Sequence, residues 1–164
     1  MEIYELIFVQ LVCKFEEIRD TLKKGLEQLD DDDINYRPNN ESNSIANLVV
    51  HIEGNINQRI GTGIHGHRDI RSRDHEFSRD LNVSKDELID KIDKSFKLLI
   101  ESVKELQNED LVRTIEVRGK AKTIYEILQQ CASHYSEHLG QILYLAKICL
   151  GASYKTTSIY KKSY

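Results

Sequence analysis

Hydrophobic positions recur at three- and four-residue intervals through four long stretches of this chain, with polar positions between them. Tyr4, Phe8, Leu11, Phe15, Ile18, Leu22, Leu26 and Leu29 place one apolar stripe on a helix over residues 2–29. The segment "DDDDINYRPNNES" stops that helix, because Pro38 keeps Arg37 out of the helical region and the acidic run Asp30–Asp33 reads as a solvated turn. Ser44 is a good cap for a second helix over 44–61, whose apolar face is Leu48, Val49, Ile52, Ile56 and Ile60. A capping box from Ser84 to Glu87 opens a third helix over 84–107, through Leu88, Ile92, Phe96, Leu99, Val103 and Leu106. Another, from Thr123 to Glu126, opens a fourth over 123–150.

The connections differ in kind. "GTGIHGHRDIRSRDHEFSRD" is polar and glycine-punctuated, and longer than an ordinary link, which marks it as functional or as a crossover. "RTIEVRGKAKT" alternates around Gly119 and predicts a short hairpin-like link. These elements predict an all-α fold: a four-helix bundle with one long loop between helices 2 and 3, forming a single domain over 1–164.

Composition narrows the function. At 164 residues the chain can bury a substantial core, and its net charge of −4 argues against the broad basic surface that nucleic-acid binding needs. No run is long and apolar enough for a membrane span. Charges within the first apolar stretch argue against a signal peptide or anchor. Cys13, Cys131 and Cys149 form no CxxC pair, as expected of free thiols in a reducing cytoplasm. "YKTTSIYKKSY" reads as a short solvated basic tail.

The chemistry concentrates in "CASHYSEHLGQILYLAKICL". His134 and His138 are four residues apart, so at about 100° per residue they stand about 40° apart on one face of the fourth helix. That spacing lets two imidazoles share a metal ion. His51 falls beside Leu48 and Ile52 on the buried stripe of the second helix. Three inward histidines on two core helices predict a metal site, and three protein ligands leave a position open for water or substrate. Asn55, Arg59 and Gln141 are candidates for orienting water or substrate.

Other readings compete for these residues. "HYSEH" formally matches an inverted zinc-protease motif, but Glu137 lies towards the flank of the helix and little chain follows His138. Glu137 reads as surface charge or as an acceptor for an imidazole N–H. His65 and His67, in "HGH", read as an exposed loop pair, with a separate metal site on the long loop as the alternative. Cys131 shares the histidine face and reads as core filler, with a thiolate ligand as the alternative.

"NSIANLVVHIEGNINQRI", "RSRDHEF" and "TIYEILQQCASHYSEHLGQILYLAK" together resemble the DinB-like (YfiT) superfamily, most closely an uncharacterised bacterial subfamily of about this length. That superfamily's metal triad, one histidine on the second helix and HxxxH on the fourth, falls on His51, His134 and His138. The resemblance implies a four-helix bundle, often a homodimer, that binds a divalent metal such as zinc or nickel. Characterised relatives include S-transferases that use bacillithiol or mycothiol, and a presumed metal hydrolase. The implied function is therefore a metal-dependent thiol S-transferase acting on a small-molecule thiol and an electrophile. A metal-dependent hydrolase and a non-catalytic metal-binding or sensor protein are the alternatives. The loop departs from the subfamily's pattern, which has Asp-Gly-Glu-Lys and then Pro-Trp where this chain has His65-Gly66-His67-Arg68 and Asp69-Ile70.

Overall fold

The computed structural model describes residues 2–157, so the end of the basic tail, residues 158–164, lies outside the described residues. Four long helices carry the architecture: α1 (Ile3–Leu26), α3 (Ile45–Ile56), α5 (Lys85–Glu105) and α6 (Ile124–Leu150), with the short helices α2 (Asp31–Asn35) and α4 (Arg73–Glu76) in the connections. α1 packs against α5 and α6, and α3 packs against the same two helices, which closes an all-α four-helix bundle.

The predicted stripes are the core. Phe15, Ile18, Leu22 and Leu26 of α1 meet Leu88, Phe96 and Leu99 of α5 and Ile127, Leu128 and Ile142 of α6, all fully buried. Each such side chain contributes about 1.5–3 kcal/mol of burial free energy. Tyr135 is also fully buried at the centre of α6, where it packs on Phe15 and Phe96. No helix among the described residues is long and apolar enough to cross a membrane.

The acidic run is more ordered than a solvated turn. Asp30 caps α2 by accepting from the Asp33 N–H at 2.9 Å, and Asp31 accepts from the Lys85 N–H at 2.8 Å, at the start of α5. Carboxylates at a helix N-terminus complement its exposed N–H groups and dipole, and buried Ile34 anchors the turn to the core. The link before α6 is a two-stranded antiparallel hairpin, β1 (Thr114–Val117) and β2 (Lys120–Thr123), with Val117 opposite Lys120. Its two-residue turn holds Arg118 and Gly119 at φ 54° and 71°. Positive φ at both central positions matches the twist of a tight hairpin.

At the end of α3 the helix widens into a π turn, Asn57–Thr62, in which the Gly63 N–H bonds to the Gln58 carbonyl at 3.0 Å. Such turns recur at functional sites because they re-aim the side chains they carry.

Candidate metal centre

His51 faces α6 from the middle of α3, and His134 and His138 face it from successive turns of α6. One ligand atom from each lies within 4.8 Å of the others. Among the described residues this is the group of histidine, cysteine and acidic side chains able to hold a metal ion.

Hydrogen bonds to the outer ring nitrogens orient two of the imidazoles. The His51 Nδ1–H donates to Glu76 Oε2 at 2.8 Å. Arg71 grips the same carboxylate with both arms, Nε to Oε1 at 2.6 Å and Nη2 to Oε2 at 2.8 Å. Arg71 Nη2 also lies 3.2 Å from His51 Nδ1. Two N–H donors cannot bond to each other, so Glu76 receives both. The His138 Nδ1–H donates to Gln141 Oε1 at 3.1 Å. Both arrangements leave Nε2 as a bare lone pair turned towards the centre of the group.

Those lone pairs are what a metal would satisfy. His51 Nε2 lies 3.0 Å from His134 Nε2, and His138 Nε2 is buried without a hydrogen-bond partner. One proton can bridge the first pair, but it leaves His138 Nε2 orphaned, which is costly for a buried polar atom. A single divalent cation meets all three requirements, so the residues fit the metal.

Electrostatics keep His134 and His138 in their ligating form. Burial and the neighbouring His138, His51, Arg59 and Arg71 lower the His134 pKa from its ordinary 6.5 to about 4. Burial also lowers that of His138, against the opposing bond to Gln141. For Glu76 burial pushes upward, but the hydrogen bonds from Arg71 and His51 outweigh it and bring the carboxyl to about 2. Glu76 is thus an anion, 3% exposed, held by its two partners.

These shifts set an acid dependence for the metal-free protein. Between about pH 6.5 and 4 the unfolded chain takes up a proton at position 134 that the folded protein does not bind, so acidification favours unfolding. Below about pH 4.5 the depressed Glu76 carboxyl adds a further loss of the same sign, down to about pH 2. The urea midpoint of chelator-treated protein should fall steadily from pH 7 to pH 5. A midpoint that stays flat over that range would contradict the neutral, desolvated state of His134.

The scaffold that presents Glu76 is built into the start of α3. Buried Asn47 donates to the Glu76 carbonyl at 2.8 Å and to the Ser78 carbonyl at 3.0 Å. Its Oδ1 accepts from Arg37 Nη2 at 2.7 Å and from Ser44 Oγ at 2.8 Å, so the helix cap and the long loop share one residue. Phe77 packs on the His51 ring with centroids 4.8 Å apart. A Cβ at Gly54 would run into Glu76 Oε1. That close approach explains a glycine inside α3, where it costs about 1 kcal/mol relative to alanine.

The other sequence candidates have separate fates. Gln141 orients His138. Asn55 instead accepts from the buried Tyr135 hydroxyl at 3.1 Å, so its side chain serves the core. Arg59 reaches Gln130 of α6 at 3.4 Å. Cys131 is fully buried, with its Sγ 3.3 Å from the Tyr135 hydroxyl and its thiol pKa raised by burial, which makes it core filler rather than a thiolate ligand. Glu137 is exposed, and the carboxylate that receives an imidazole N–H is Glu76. His65 bonds Ser102 of α5 at 2.6 Å and stacks on His67. The periodicity argument passed over Arg71 and Glu76. Their signals were a polar loop too long to be a plain connection and the segment "RSRDHEF", residues 71–77, which carried part of the resemblance without assigning either residue a role.

A family profile described as a protein of unknown function (DUF1572) matches residues 5–163, nearly the whole chain. The chain belongs to the DUF1572 family. No curated protein matches it. Among solved structures this DUF1572 chain is similar to the DinB-like protein YjoA of Bacillus subtilis, with a TM-score of 0.68 and 20% identity over 90% of this chain and 96% of that one. A DinB-like protein of Bacillus cereus is similar at a TM-score of 0.65 and 18% identity, over 87% and 90% of the two chains. At such identities the likeness establishes a shared fold.

Proposed function

We propose that this protein is a divalent-metal-dependent thiol S-transferase, with zinc or nickel held by His51, His134 and His138. The observation that carries the reading is the composition of the centre. Three imidazole lone pairs converge, no fourth His, Cys, Asp or Glu joins them among the described residues, and His134 and His138 are only half-buried. A closed structural site would have four protein ligands; three with access from outside suit a reaction centre.

Bound there, the metal supplies positive charge that keeps a nearby thiol ionised at neutral pH. The chain's own residues do the positioning. Glu76 and Gln141 fix the tautomers of His51 and His138, and Arg71 holds Glu76 in its ionised form. Phe77 packs on the His51 ring and supports it from one side. The thiol loses its proton to solvent, and its sulfur forms a bond to the electrophilic carbon. The leaving group departs with the electron pair.

The test is conjugation of bacillithiol or another low-molecular-weight thiol to 1-chloro-2,4-dinitrobenzene, with loss of chloride. Metal-loaded protein should accelerate it, and the visible spectrum of the cobalt-loaded form should change when thiol is added. If no thiol is accelerated and the cobalt spectrum stays unchanged, the transferase reading falls.

A further inference from the structure

Four arginines stand together beside the histidine centre, and only one of them has a carboxylate to itself. Arg71 is neutralised by Glu76. Arg59, Arg73 and Arg118 have no ion-pair partner among the described residues. Arg59 leaves the π turn and meets two neutral groups, the Gln130 amide oxygen at 3.4 Å and the buried Cys131 thiol, so none of its five N–H donors reaches an anion. Arg118 is carried on the hairpin tip in the left-handed region and donates Nε to Gln58 Oε1 at 3.0 Å, the oxygen that also receives Arg71 Nη1 at 2.8 Å. Arg73, from α4, lies over the Phe77 ring that packs on His51. Asp69 is also close, bonded to Gln58 Nε2 at 2.9 Å.

Counting Asp69 and Glu76 against the four arginines leaves a local surplus of two positive charges, in a chain whose net charge is −4. The cations also act on one another. Burial, and then repulsion from Arg71, Arg73 and Arg59, hold the Arg118 guanidinium below its ordinary range. Like charges gathered by three separate elements cost free energy, and an anion placed among them would remove that cost. Guanidinium groups match carboxylate and phosphate oxygens with paired N–H bonds.

We propose that Arg59, Arg73 and Arg118 form an oxyanion-binding rim beside the histidine centre, which receives a carboxylate or phosphate of the small molecule that reacts there. This rests on the triad being the reaction centre, and it names the substrate as anionic. The overall negative charge of the chain and the small extent of the patch favour a small molecule over a nucleic-acid backbone.

Calorimetric titration of metal-loaded, full-length protein with succinate and with inorganic phosphate, at constant ionic strength, tests the rim. At least one anion should bind saturably, and the tighter of the two identifies the group. The exposed pair Arg73→Gln/Arg118→Gln, and separately Arg59→Gln, should weaken that binding about tenfold or more with metal content unchanged. No saturable binding, or equal binding by the variants, would overturn the proposal. So would tighter binding of a short single-stranded oligonucleotide, which would indicate a polyanion surface. No turnover is measured, so failure of thiol transfer leaves this result standing, and failure here leaves thiol transfer open.

Discussion

Protein carrying His51→Ala, His134→Ala or His138→Ala is expected to lose stoichiometric metal binding while remaining folded and cooperative. The fold is not expected to depend on an ion, because Phe15, Phe96, Tyr135 and the aliphatic stripes of all four long helices are buried independently of the triad. A bound ion would add stability only through binding. At a free concentration of about a thousand times Kd that gain is about 4 kcal/mol. For a chain of this size it corresponds to about 8–16 °C in Tm. Chelation should therefore lower the Tm of the unsubstituted protein by that order and leave its helical circular dichroism intact. The His138→Ala protein should show neither the metal-dependent rise nor the chelator-dependent fall. An anomalous-scattering map of the unsubstituted protein should show one ion bonded to all three imidazoles. A chain that unfolds on chelation would show that metal binding is itself folding energy, as in small zinc domains.

The second large effect is expected at Glu76, which no spacing rule singles out. Glu76→Gln keeps the shape of the side chain but removes its charge, leaving Arg71 unpaired with its own side chain 3% exposed. An uncompensated buried charge typically costs about 3–5 kcal/mol. Loss of the anion behind His51 should also weaken metal affinity about 10–100-fold, since the carboxylate fixes the tautomer and orientation of the ring. The two consequences separate in the double variant Arg71→Met/Glu76→Gln. Removing both charges should restore most of the lost stability but not the metal affinity. Urea unfolding and a competitive metal titration give the two readouts. If metal affinity is unchanged in Glu76→Gln, the carboxylate serves only to pair Arg71.

Much of the bundle follows from local sequence, because helix formation is governed by periodicity and caps. The Leu11–Leu26 stripe, the Ser44 and Thr123 caps and the spacing of His134 and His138 are properties of neighbouring residues. A buried stripe also fixes which way His51 faces. What local sequence could not supply was which groups from distant segments would meet. Glu76 and Arg71 belong to a loop without periodicity, and they reach His51 because Asn47 ties that loop to the start of α3 and Gly54 leaves room for the carboxylate. Asn55 illustrates the converse: its helical phase was consistent with the site, but the Tyr135 hydroxyl in the core took its side chain. Arg118, carried by a separate hairpin, joined Arg71 at one amide oxygen through packing alone. Local spacing therefore determined the helices and the three candidate ligands, since both depend on angles along a single helix. The tertiary structure decided the anion behind His51 and the cations around the centre, since hydrogen bonds and charges act through distances in space that sequence separation does not specify.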